Sequence, residues 1–201
     1  MCKRDPVVFC TEALNVTPLP WQAEALRLVA GHDRVAIRSG HGVGKSAFIA
    51  WLVLWFLVTR GNARIPCTAP TRHQLQDILW SEIAKWRRRM RPELAEQIGL
   101  TGEYVALAEA PHECFAVART ARRDQPEAFQ VFHGENLLFL VDEASGVDDA
   151  VFEAGEGAMA TAGAKTVLMN LACRGKPVSE LGPDFFSESG IPDDDTPFDL
   201  P

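Results

Sequence analysis

Apolar residues occur along this chain in short runs that alternate between two periods. Arg34–Arg38, Ala63–Thr68, Tyr104–Leu107, Cys114–Ala118, Asn136–Val141 and Lys165–Met169 are short apolar or alternating runs, which predict strands. Asn136–Val141 is the most apolar of them, the kind buried on both faces of a parallel sheet. Helical patterns lie between and before the strands: Pro6–Leu14, Trp21–Ala30, Lys45–Thr59, Thr71–Met90 and Ala150–Thr161. In Thr71–Met90 the positions Leu75, Ile78, Leu79, Ile83 and Trp86 fall on one face of an α-helix. Thr17-Pro-Leu-Pro20, Gly31-His-Asp33, Arg60-Gly-Asn62 and Pro70 punctuate the pattern as turns. Strand and helix alternate through most of the chain, which predicts an α/β fold: a largely parallel central sheet flanked by helices. There is no internal repeat.

The pattern stops near residue 169. Beyond Asn170 the chain is rich in Gly and Pro and carries Asp193-Asp-Asp195. We expect one folded domain over residues 1–169 and an acidic, disordered tail over 170–201. Charge follows the same division. Residues 1–175 hold 19 Lys/Arg and 20 Asp/Glu, and residues 176–201 hold one Lys and seven acids, which accounts for the net charge of −7. A near-neutral body does not announce a nucleic-acid binder, although a local basic track would suffice for one.

With 201 residues and 47% hydrophobic side chains, a well-buried core is expected. The five cysteines, Cys2, Cys10, Cys67, Cys114 and Cys173, are odd in number and show no CxxC spacing. That argues against a disulfide framework or zinc site and for reduced thiols in a cytosol. Ala47–Val58 is an uncharged, almost wholly apolar stretch. As a helix it would span about 18 Å, against about 30 Å for a bilayer core, so it reads as a buried helix and no membrane partner is expected.

The chemistry-bearing signal is Ser39-Gly-His-Gly-Val-Gly-Lys-Ser46, between a predicted strand and the apolar helix. It resembles the Walker A pattern G-x-x-x-x-G-K-[ST], with Ser39 at the first glycine position. Ser39, Gly40, His41, Gly42, Val43 and Gly44 would wrap phosphate with backbone N–H groups, and the following helix aims its positive end at the same place. Lys45 would reach the β- and γ-phosphates of ATP, and the Ser46 hydroxyl would bind Mg²⁺. Leu137–Val141 is an apolar run ending in Asp142-Glu143, which resembles a Walker B strand. Asp142 would hold Mg²⁺ and Glu143 would polarise the attacking water. Two further segments fit less specifically. Gln22, after Pro20-Trp21, has an amide able to pair with an adenine edge. Thr68-Ala-Pro-Thr71 directly follows the second predicted strand.

Gln22, Gly40–Ser46, Thr68–Thr71 and Asp142-Glu143-Ala144, in that order, resemble the ATPase part of the phage terminase large subunit, within the RecA/helicase-like P-loop NTPases. Phe129-Gln-Val-Phe-His133 resembles a Q-x-G-x-H-like pattern of such proteins, with Val131 at the glycine position. The resemblance covers roughly residues 8–169. It implies a motor that assembles as a homo-oligomeric ring on a phage portal with a small terminase subunit. That motor would drive double-stranded DNA into a procapsid in the host bacterial cytoplasm. It also implies an arginine finger, for which Arg38, Arg72, Arg119 and Arg123 are candidates. The run Arg87-Arg-Arg-Met-Arg91 is either a DNA track or the solvated end of a helix.

The pattern departs after residue 169. Asn170-Leu-Ala-Cys-Arg-Gly-Lys-Pro177 does not match the Gly-Asn-Pro-like coupling motif of terminases, and nothing supplies the acids of their nuclease domain. Either a truncated or frame-shifted terminase without nuclease activity, the favoured expectation, or a stand-alone ATPase subunit accounts for this. The rival readings are a helicase-like, nucleic-acid-dependent ATPase and a catalytically dead nucleotide-binding remnant.

Overall fold

A computed structural model describes residues 5–39, 42–120, 132, 135–158 and 164–171. Its central element is α3 (Lys45–Thr59), in which Phe48 to Leu57 are all buried. A helix that is apolar all round has to be enclosed, and α1 (Pro6–Glu12), α2 (Pro20–Gly31) and α4 (Ser81–Arg89) contribute side chains to the core that encloses it. No described helix is long and apolar enough to cross a membrane.

The sheet has seven strands: β1 (Arg34–Ser39), β2 (Ala63–Thr68), β3 (Ile98–Leu100), β4 (Tyr104–Leu107), β5 (Phe115–Ala118), β6 (Asn136–Val141) and β7 (Lys165–Leu171). Their order is β1-β7-β6-β2-β5-β4-β3. The run from β1 to β5 is parallel, and β4 and β3 extend it antiparallel. This is the predicted largely parallel α/β sheet. Alternate residues of β6 serve opposite layers: Leu138 and Leu140 join the core around α3, while Phe139 and Val141 pack with α6 (Asp149–Ala158). Burial on both faces explains why the β6 run is continuously apolar.

Several bounds move. The strand predicted over Lys165–Met169 continues through Asn170 to Leu171. The strand β3 and the short helix α5 (Pro92–Ala95) carry too few apolar positions to show a period. The single α-helix predicted over Thr71–Met90 is two segments, a π-helical stretch Gln74–Trp80 running into α4. The wider π turn changes which side chains face inward. Ile78 is 43% exposed, and Trp80, five residues after Leu75, is buried instead. The predicted tail, apart from Asn170 and Leu171, lies outside the described residues, as do Gly40, His41, Arg123 and Val131.

Candidate active site

The carboxyl ends of β1 and β6 bring two loops to one edge of the sheet. Ligands of open parallel sheets bind at such edges. Beyond β1 the chain turns through Gly42 (φ 74°) and Gly44 (φ 91°), both left-handed, before α3 begins at Lys45. Glycine reaches this region without the strain a side chain would suffer. At Gly44 there is also a steric reason. A Cβ there would stand 2.9 Å from Nε2 of Gln22.

Gln22 is 3% exposed and braces that loop from α2. Its Oε1 accepts the Leu19 N–H at 2.9 Å, and its Nε2 donates to the Gly44 carbonyl at 3.2 Å. The Gly44 carbonyl also accepts the Phe48 N–H at 3.1 Å, the first turn of α3. Next to Gln22, the ring of Trp21 packs against Phe48 with centroids 5.8 Å apart. Lys45 and Ser46 occupy the first turn of α3, half-buried, where the helix dipole favours anions.

Asp142 and Glu143 emerge from the buried end of β6. The Asp142 N–H donates to the Thr68 carbonyl at 2.8 Å, which ties this loop to the end of β2. Burial pushes the Asp142 carboxyl above the usual carboxylate range, and the neighbouring Glu143 charge adds to the rise. The Glu143 N–H, donating to Asp142 Oδ1 at 3.0 Å, and the positive charge of Lys45 oppose it. The acid at the end of β6 thus lies within the field of the first residue of α3. Glu143 itself is left-handed (φ 49°), an uncommon state for a side chain that is neither Gly nor Asn. Such states concentrate at functional sites. Its Oε2 accepts a hydrogen bond from Nε2 of Gln74, at the start of the π-helical stretch. Gln74 is not among the residues singled out by the sequence, although Thr71-x-x-Gln74 has the capping-box pattern that could draw attention to it.

The donor set suits Mg²⁺ in kind: a Ser46 hydroxyl and an Asp142 carboxylate are hard oxygen donors, and Mg²⁺ is commonly held by one or two protein ligands plus substrate phosphates. Among the described residues there is no cluster of three or more His, Cys, Asp or Glu able to hold a metal without such help.

Of the arginines, Arg38 is exposed at the end of β1. Arg72 and Arg119 share one partner, Glu103, at 3.1 and 3.8 Å, and Arg119 also donates to the Tyr104 hydroxyl at 3.1 Å. The basic run ends α4. Arg87 Nε donates to the Ile98 carbonyl at 2.7 Å, Arg89 lies over the Trp86 ring, and Arg88 is exposed.

The glycine turn, the lysine at the head of a buried helix and the two acids after a buried strand define a P-loop α/β domain. No protein-family profile matches the sequence. Individual proteins do, and the chain resembles the ATPase region of phage large terminases in sequence and fold. It is 28% identical over 127 residues to a probable terminase large subunit of Enterobacteria phage P7, covering 62% of this chain and 26% of that protein. The large terminase ATPase domain of Thermus phage P74-26 superposes with a TM-score of 0.66 at 19% identity, over 91% of this chain and 73% of that one. The HK97 bacteriophage large terminase gives 0.65 at 19%, over 84% of this chain and 37% of that one. A large terminase from a thermophilic bacteriophage, solved in complex with ADP, gives 0.53 at 10% identity, over 84% of this chain and 38% of that one. The chain therefore spans about a quarter of the length of the curated relative it matches.

Proposed function

We propose that this chain is the ATPase motor domain of a phage large terminase, hydrolysing ATP to drive double-stranded DNA into a procapsid. One observation carries the reading. The Gly42–Ser46 turn and the Asp142-Glu143 pair follow the carboxyl ends of the parallel strands β1 and β6, with the Lys45 charge acting on Asp142. The likeness to terminase ATPase domains supports it, as does the ADP complex of a similar terminase.

The backbone of residues 39–44 and the first turn of α3 would cradle the phosphates, with Ser39, Gly40, His41, Gly42, Val43 and Gly44 forming the loop. Lys45 would offset the charge growing on the γ-phosphoryl oxygens. Ser46 and Asp142 would hold Mg²⁺, which would supply positive charge to offset that of the phosphates. Glu143 would orient a water and take its proton as the water oxygen bonds to phosphorus and ADP leaves. Gln22 would set the loop, and its second amide N–H and remaining lone pair are the groups an adenine edge would meet. An arginine from this chain or a neighbour would complete the charge balance. In the assembled machine we expect a homo-oligomeric ring on the portal, a small terminase subunit and a site of action in the host cytoplasm. We take the ATPase unit as residues 1–169 with the last two residues of β7.

Steady-state hydrolysis of Mg²⁺-ATP, with and without double-stranded DNA, tests this. Turnover that depends on Glu143 and responds to DNA is the expected result. Turnover equal in wild type and Glu143→Gln would refute the assignment.

A further inference from the structure

We propose that Gln74 is a positioning residue for hydrolysis, fixing the carboxylate of Glu143 through its side-chain amide; this rests on the hydrolytic reading above. The amide is held at both ends. Its Oε1 accepts the Thr71 N–H at 3.1 Å and the Thr71 hydroxyl at 2.9 Å, while Nε2 donates to Oε2 of Glu143. The Gln74 N–H lies 3.3 Å from the Thr71 hydroxyl oxygen, closing a reciprocal capping box. Chemistry fixes which way the amide points. A backbone N–H can only donate, so it must face the amide oxygen, and an ionised carboxylate can only accept, so it must face the amide nitrogen.

Glu143 is thereby restrained twice. Its own N–H is bound by Asp142 Oδ1 at 3.0 Å, and its carboxylate by Gln74. Its left-handed backbone further narrows the directions the side chain can take. The choice of partner matters. An Arg or Lys at this place would pair its charge with the carboxylate, whereas a neutral amide orients it through a hydrogen bond alone. Oε1 of Glu143 receives no bond from Gln74 and is the oxygen that would face water. The π-helical stretch supplies the placement. Gln74 is its first residue, so a register change in that stretch would carry the amide away from Glu143.

The test is kinetic. Gln74→Ala should lower kcat by roughly ten- to a hundredfold, the range for misplacing a reacting group, with KM and nucleotide affinity unchanged. Thr71→Ser, which keeps the hydroxyl, should retain turnover. In a Glu143→Gln background, Gln74→Ala should cause no further loss of residual turnover, because the group it positions is gone. A fold control is the thermal midpoint of each variant. Wild-type kcat in Gln74→Ala, an equal further loss in the Glu143→Gln background, or a rise in KM alone would overturn the proposal while leaving the ATPase reading intact. Absence of turnover in the wild-type chain would instead overturn that reading, and this proposal with it.

Discussion

At the scale of single residues, the Gly44 carbonyl and the Glu143 carboxylate each have a side-chain partner, Gln22 and Gln74, that can be replaced independently. Lys45→Ala removes the cation at the head of α3. Nucleotide affinity, followed by calorimetry, should fall by about 10- to 100-fold, the worth of a charge-assisted hydrogen bond of ~1.5–3 kcal/mol. Glu143→Gln should keep that affinity and lower kcat by about 10²-fold or more. Asp142 leads to a pH effect whose sign can be worked out. Its folded-state pKa lies above the ordinary 3.8, so without Mg²⁺ and nucleotide the folded chain binds the proton more tightly than the unfolded chain. The resulting penalty is absent at pH well below 3.8 and grows as pH rises through the folded-state pKa. Asp142→Asn should therefore melt higher than wild type at neutral pH, lose the advantage in strong acid, and lose hydrolysis throughout. A lower melting point at neutral pH would show that Asp142 is not a destabilising group in the folded chain.

At the scale of elements, α3 and β6 were legible in the sequence to the residue, because an all-apolar helix and an all-apolar strand follow from burial on every side. The candidate site could be picked out for a related reason, since its glycine spacing and terminal acids adjoin such buried elements. What escaped was whatever depends on neighbours far along the chain. The period of Leu75, Ile78 and Leu79 suits an α-helix, yet packing of Trp80 selects the wider turn and leaves Ile78 outside. Gln74 carries no apolar signal and acquires its meaning only where β6 ends. Packing at β6 can be tested on both faces. A Cβ at Gly155 would lie 2.6 Å from Cε1 of Phe139, so Gly155→Ala should destabilise by about 1–3 kcal/mol through overpacking. Leu54→Ala, in the wholly buried α3, should cost about 2–5 kcal/mol through the cavity it leaves. Chemical denaturation measures both, and little change in either would mean that the layer in question yields more readily than its packing suggests.

At the scale of the whole molecule, the two loops of the site are anchored in one sheet, with Gln22 and Gln74 tying them to the helices around it, so ligand binding should be felt by the entire domain. Mg²⁺-ATP at about 100 times its wild-type Kd should add ~2.7 kcal/mol to the unfolding free energy, visible as a higher Tm in wild type, and only about 0.4–1.4 kcal/mol at the same concentration in Lys45→Ala. The distribution of indole rings offers a second way to observe binding. Four of the five tryptophans, Trp51, Trp55, Trp80 and Trp86, are at most 5% exposed, whereas Trp21 is half-buried and lies between the Gln22 brace and the first turns of α3. The long-wavelength part of the intrinsic emission of the described domain should therefore come mainly from one ring, next to Gln22 and packed on Phe48. Excited at its red edge, the unlabelled protein would carry its own optical probe of nucleotide occupancy, and Trp21→Phe would extinguish that signal while leaving the blue emission of the core in place.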